Sequence, residues 1–76
     1  GRTDEAIEAY EHYVNENHSH IEARRKLAES LAKSGDGAGA SRARQDAIDT
    51  FAHLPSYMRR RQLGAYLRLR LGALFS

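Results

Sequence analysis

The sequence has no cysteine, no tryptophan and a single proline, and the missing thiols exclude a disulfide framework, a thiolate metal site and a thiol nucleophile. Nothing in it marks a redox compartment, and cytoplasm is expected slightly ahead of periplasm. Long apolar runs are missing too. The most apolar stretch, residues 63 to 75, is shorter than the roughly 20 residues of a membrane span and contains Arg68 and Arg70. The polar first residues lead into no apolar run with a cleavage site, so no signal peptide is expected. The chain opens on Gly1 without a methionine, as a processed chain or a piece of a longer protein does.

Acidic residues are absent from Pro55 onward. The charge is divided along the chain: residues 1 to 36 carry five basic and eight acidic side chains, whereas residues 37 to 76 carry seven arginines against Asp46 and Asp49. The two parts are therefore −3 and +5. Such polarity favours head-to-tail contact with a second copy, or attraction of an acidic partner to the C-terminal end. With 76 residues, 41% of them hydrophobic, the chain can build one domain around one thin core. So short a chain without disulfides relies on close helix packing or on oligomerisation.

Apolar spacing predicts about four helices. The first starts at Thr3 or Asp4, with Ala6, Ile7, Tyr10, Tyr13 and Val14 on one face, and ends over Asn15 to His18. Ser19-His20-Ile21-Glu22 reads as a capping box that opens the second helix, whose inner stripe is Ile21, Ala23, Leu27, Ala28 and Leu31. Ser34-Gly35 terminates it. Asp36 to Gly39 reads as a small-residue turn, followed by a third helix with Ala40, Ala43, Ala47, Ile48 and Phe51 at helical spacing and an end near His53. Leu54-Pro55-Ser56 stops it and starts a fourth helix, from about Ser56 to Gly72. On a helical wheel Leu63, Leu67, Leu71 and Leu74 gather on one side with Tyr66 beside them, while Ala65 and Leu69 lie on another. This last helix is apolar on more than one face, and leaving its leucines in water would forfeit about 1.5–3 kcal/mol each.

The alternation of helices and short turns suits a tandem αα-hairpin array. Gly1 to Tyr10 resembles the turn and second helix of a tetratricopeptide repeat, with Glu5-Ala6 and Tyr10 at the family's Glu-Ala and aromatic positions and Tyr13 where a second small residue is usual. At the family's period of about 34 residues, Leu27, Ala28 and Leu31 match the next first helix and Gly35-Asp36 its turn. Arg24 stands in place of the usual large apolar residue and His18 in place of the usual proline. Ala43, Ala47 and Pro55 return at the expected spacing, shifted by the Gly-Ala-Gly segment, and Leu63-Gly64 resembles the family's Leu-Gly pair displaced by one. The resemblance implies a right-handed α-solenoid fragment: residues 1–18 as the second helix of one repeat, 19–54 as a full repeat, and 55–76 as a following or capping helix. It also implies a non-enzymatic scaffold that holds a peptide or partner helix on a surface lined by first helices, here Arg24, Lys26, Glu29, Ser30 and Lys33.

Few residues offer chemistry of their own. His12, His18 and His20, with Glu16 between, are the one cluster with metal-ligand character, and they read more simply as polar residues at a helix end. Ser19, Ser34, Ser41 and Ser56 stand where serine caps or turns helices, and Gly35, Gly37 and Gly39 lack the Lys and Ser/Thr of a phosphate loop. No cofactor is expected. Arg59, Arg60, Arg61, Arg68 and Arg70 form a basic patch that suits protein contact first, with nucleic acid as the alternative, helped by Tyr57 and Tyr66 as stacking faces, and an acidic membrane surface third. Leu63, Tyr66, Leu67, Leu71 and Leu74 are the expected self-association or partner surface, most simply in a homodimer.

Overall fold

A computed structural model describes residues 2 to 75, and side chains from Arg2 to Gly72. The described residues are all helical in their regular structure, with five helices: α1 (Arg2–Glu16), α2 (Ile21–Lys33), α3 (Gly37–Ala52), α4 (Ser56–Arg61) and α5 (Leu63–Phe75). Helix α2 is the hub, packing against α1, α3 and α5. The whole measures 38 × 28 × 16 Å between Cα positions, with a radius of gyration of 11.8 Å. A thickness of 16 Å accommodates two layers of helices, whose axes pack about 8–10 Å apart. In so thin a slab the outer helices keep one side open to solvent.

The core is made largely of small residues. Among the described residues the buried apolar set is Val14, Ile21, Ala23, Ala28, Ala40, Ala47, Leu54 and Leu69. Four of these eight are alanines from α2 and α3, so the fully enclosed part of the pairing is made of small side chains, with Leu27, Leu31 and Ile48 half-buried around it. Ile21 and Leu69 are the two largest side chains fully enclosed. Ile21 lies at the start of α2, against the α4–α5 junction, and Leu69 lies in the middle of α5, beside Arg25, Glu29, Ala32 and Lys33 of α2.

Helix ends follow local chemistry in two places. Gly35 adopts φ +91°, a left-handed conformation that costs glycine little, and terminates α2 as expected. Its N–H donates to the Ala32 carbonyl at 3.1 Å and the Asp36 N–H to the Leu31 carbonyl at 3.0 Å, the two bonds of a Schellman motif. Pro55 likewise separates α3 from α4.

Elsewhere the structure corrects the expectations. Helix α3 starts at Gly37 rather than after Gly39, because the Asp36 carboxylate caps it, accepting the Gly39 N–H at 2.8 Å. A Cβ on residue 39 would collide with that carboxylate, so glycine here serves the cap. The capping box at Ser19 does not form. His20 is the N-cap of α2 instead, its Nδ1 accepting the Ala23 N–H at 3.1 Å. The helix expected over residues 56 to 72 is two helices, broken at Gln62, whose backbone has φ −105° and ψ 13°. One residue explains both of these last changes. Gln62 Oε1 accepts the Ile21 N–H at 2.6 Å and Gln62 Nε2 donates to the Ser19 carbonyl at 2.7 Å. The amide thus satisfies an orphan donor of α2 from 41 positions away and ties the α1–α2 turn to the α4–α5 junction.

Candidate partner-binding surface

Helix α5 has two apolar sides with opposite fates. Leu69 is 2% exposed, packed toward the core with Ala65 half-buried beside it, whereas Leu63, Leu67 and Leu71 are 47%, 51% and 54% exposed. Spaced by four, these three leucines form a stripe on the outer side. Leu74, which shares their side of the wheel, lies outside the described side chains. Tyr66 departs from the expected surface: its ring stacks on Phe51 at 3.9 Å between centroids, 11° from parallel. The Arg70 guanidinium lies 6.0 Å from the same ring centroid. One face of the Tyr66 ring is therefore taken by Phe51.

The arginines divide in the same way. Arg68 approaches Glu22 across the α2–α5 interface, Nη1 to Oε2 at 3.7 Å. That Glu22 oxygen is buried and accepts no hydrogen bond, while Oε1 takes both the Nε and Nη2 donors of Arg25. The Arg25 hydrogen bond, opposed in part by burial and reinforced by the charges of Arg25, Arg68 and Lys26, holds the Glu22 carboxyl below its ordinary value. Arg59, Arg60 and Arg61 crowd the last turn of α4, where the helix dipole favours cations. Arg59 donates to Ser56 Oγ at 3.3 Å. Arg59, Arg60, Phe51 and Leu63 line a groove of about 400 Å³ that continues the leucine stripe toward α3.

The five residues expected on a peptide-binding face are spread over different sides of α2. Arg24 donates its Nε to the His18 carbonyl at 2.7 Å and faces a groove of about 400 Å³ between α1, α2 and α3, shared with Leu27, Arg42 and Asp46. Lys26 borders a second groove, of about 370 Å³, formed by Ala9, Tyr10, Tyr13, His20 and Ala23 with Glu22 at its rim. Glu29 and Lys33 lie on a third, with Arg25, Arg44 and Leu69. Ser30 is half-buried and lines none of the three. Glu29 is moreover held by Lys33 at 3.2 Å and Arg25 at 3.1 Å, and the Lys33 hydrogen bond lowers its carboxyl's pKa. Because α2 is the hub, its residues are shared among neighbours and do not converge on one groove.

His20 and His53 serve helix ends. His12 Nε2 lies 3.3 Å from Glu16 Oε1, and the His20 ring meets the Tyr13 ring edge-on at 5.3 Å while capping α2. No group of three or more His, Asp or Glu among the described residues is arranged to hold a metal ion. Among those residues no helix is long and apolar enough to cross a membrane. Ser34 Oγ donates to the Leu31 carbonyl at 2.7 Å. The role of Gln62 has no signal in the sequence, where it is a lone glutamine beside an arginine run and its partners are more than 40 positions away.

The chain matches no protein-family model, no curated protein and no solved structure.

Proposed function

We propose that this chain is a protein-interaction module whose leucine stripe on α5 receives an amphipathic partner helix with acidic residues beside its apolar side. The observation that carries this reading is the half exposure of Leu63, Leu67 and Leu71 on a helix already anchored by Leu69. Each leucine left half in water forgoes roughly 1 kcal/mol of the burial free energy available to it. Contiguous apolar area of this kind, rimmed by charge, marks interaction surfaces. The rim is cationic, with Arg70 and Arg68 on either side of the stripe and no acidic residue in the chain after Asp49. Acidic flanks on the partner complement it.

A tetratricopeptide-like arrangement of the helices belongs to the same proposal. The packing of α2 against α1, α3 and α5 supports it, as does the resemblance around Ala6, Tyr10, Leu27 and Ala28. Nucleic acid is the second reading, favoured by the exposed Arg59, Arg60 and Arg61 and weakened by the stacking of Tyr66 on Phe51.

A titration with two synthetic amphipathic helices, identical except for Glu or Lys beside the leucines, separates these readings when followed by methyl NMR. The proposal expects the Glu peptide to shift Leu63, Leu67 and Leu71 and the Lys peptide to bind weakly. Equal binding of both peptides, or shifts confined to α1 and α3, contradicts it. Salt-sensitive binding of labelled single-stranded DNA to Arg59–Arg61, without a response to either peptide, favours the second reading.

A further inference from the structure

The acidic first part of the chain carries an apolar groove of its own. Between α1 and α2, Ala9, Tyr10, Tyr13 and Ala23 enclose about 370 Å³, and Tyr13 is 42% exposed despite its ring contact with His20. Ala9 stands on the dividing ridge: on its other side Glu5, Glu8 and His12 form an open acidic concavity. Lys26 is the one cation on the apolar groove. Helix α1 therefore presents an apolar edge flanked by carboxylates, the chemistry complementary to leucines flanked by arginines. Both surfaces belong to the same chain, and they adjoin at Glu22, which borders the groove and lies 3.7 Å from Arg68.

We infer that the partner of the α5 leucine stripe is the α1–α2 groove of a second copy, joined head to tail. This rests on the reading of α5 as a partner-binding surface and adds the identity of the occupant. A symmetric pairing of two stripes is disfavoured, because it sets the flanking arginines of one copy against those of the other, where only Arg68 has a carboxylate near it, Glu22 of its own copy at 3.7 Å. The head-to-tail contact places those arginines beside Glu5 and Glu8 instead. A heterologous contact leaves one stripe and one groove unused at the two ends, so association continues into longer chains or closes into a ring. Because the rims are exposed charges, added salt weakens it.

Complementation tests this directly. In Leu67→Gln/Leu71→Gln the stripe is lost and the groove kept; in Ala9→Arg the groove is blocked by bulk and positive charge while the stripe is kept. Both changes fall on exposed helix positions and introduce good helix formers, so circular dichroism is expected to match the wild type. In sedimentation velocity the wild type is expected to grow in mass with concentration and to dissociate with salt. Each variant alone stays monomeric, and an equimolar mixture forms a one-to-one dimer that grows no further. Self-association of Ala9→Arg alone overturns the proposal in favour of stripe-to-stripe pairing. A wild type that stays monomeric at every concentration also overturns it, and if the acidic amphipathic peptide still shifts the leucine methyls, the broader reading of α5 survives without it.

Discussion

The α2–α3 hairpin and the α4–α5 segment handle apolar and charged residues in opposite ways. In the hairpin the large apolar residues are buried or half-buried, from the enclosed Ile21 to Leu27, Leu31, Ile48 and Phe51, together with four buried alanines, and several charges are met within it: Arg25 by Glu22 and Glu29, Lys33 by Glu29, and Asp49 by the Gln45 amide at 2.9 Å. In α4–α5 the apolar residues are large, and most of the described leucines face outward beside cations that have no acid of their own segment to pair with. One region meets most of its needs within itself; the other is held by the enclosed Leu69, the stack of Tyr66 on Phe51 and a polar clamp, Gln62. One side of α5 thus holds the fold together, and the other side is left for the partner that we propose.

The largest effect that tests the comparison is expected at the anchor. Leu69→Ala removes an enclosed side chain and leaves a cavity, and urea unfolding should register a loss of about 2–5 kcal/mol, a large part of what so small a domain possesses. Gln62→Ala follows. It strips the Ile21 N–H and the Ser19 carbonyl of their partners, with an expected cost of about 1–3 kcal/mol and faster amide exchange at Ile21. Asp36→Ala, in the α2–α3 hairpin, should cost about 1 kcal/mol through the lost cap.

Acid sharpens the same contrast more gently. The folded carboxyls of Glu22 and Glu29 are held below their ordinary value of 4.5, so the stability they confer is present above that value and is lost as pH falls through the lower folded one. Unfolding free energy measured from neutral pH down to strong acid should therefore decline, by less than about 1 kcal/mol from Glu22 given its partial exposure. Glu22→Gln should flatten that decline. A steeper decline in the variant would contradict the role given to Arg25 and Arg68.

The sequence made the locally determined features legible and hid those set at a distance. Gly35 and Pro55 act on their own backbone, and both breaks stand where composition places them. Asp36-Gly37-Ala38-Gly39 reads as a turn because glycine is a poor helix former, yet an aspartate cap one residue earlier is enough to draw those residues into α3. The break at Gln62 left no periodic trace, since it is stabilised by groups more than 40 positions away. Ser19 lost the cap for the same reason. As for the candidate surface, the wheel identified both leucine sides of the last helix, but with leucine on each it held no information on which would turn inward. The expected peptide-binding residues share one helix, and it is packing, not spacing, that divides Arg24, Lys26, Glu29 and Lys33 among three grooves.

The most direct test of this two-sidedness is the urea-unfolding free energy of Leu67→Gln in dilute solution, where each copy stands alone. Glutamine preserves the charge and nearly preserves the helix propensity, and Leu67 is half exposed, so the account expects a value within about 0.5 kcal/mol of the wild type. A loss approaching that of Leu69→Ala would mean that the stripe is packed within the molecule, and the division between an anchoring side and a binding side of α5 would be wrong.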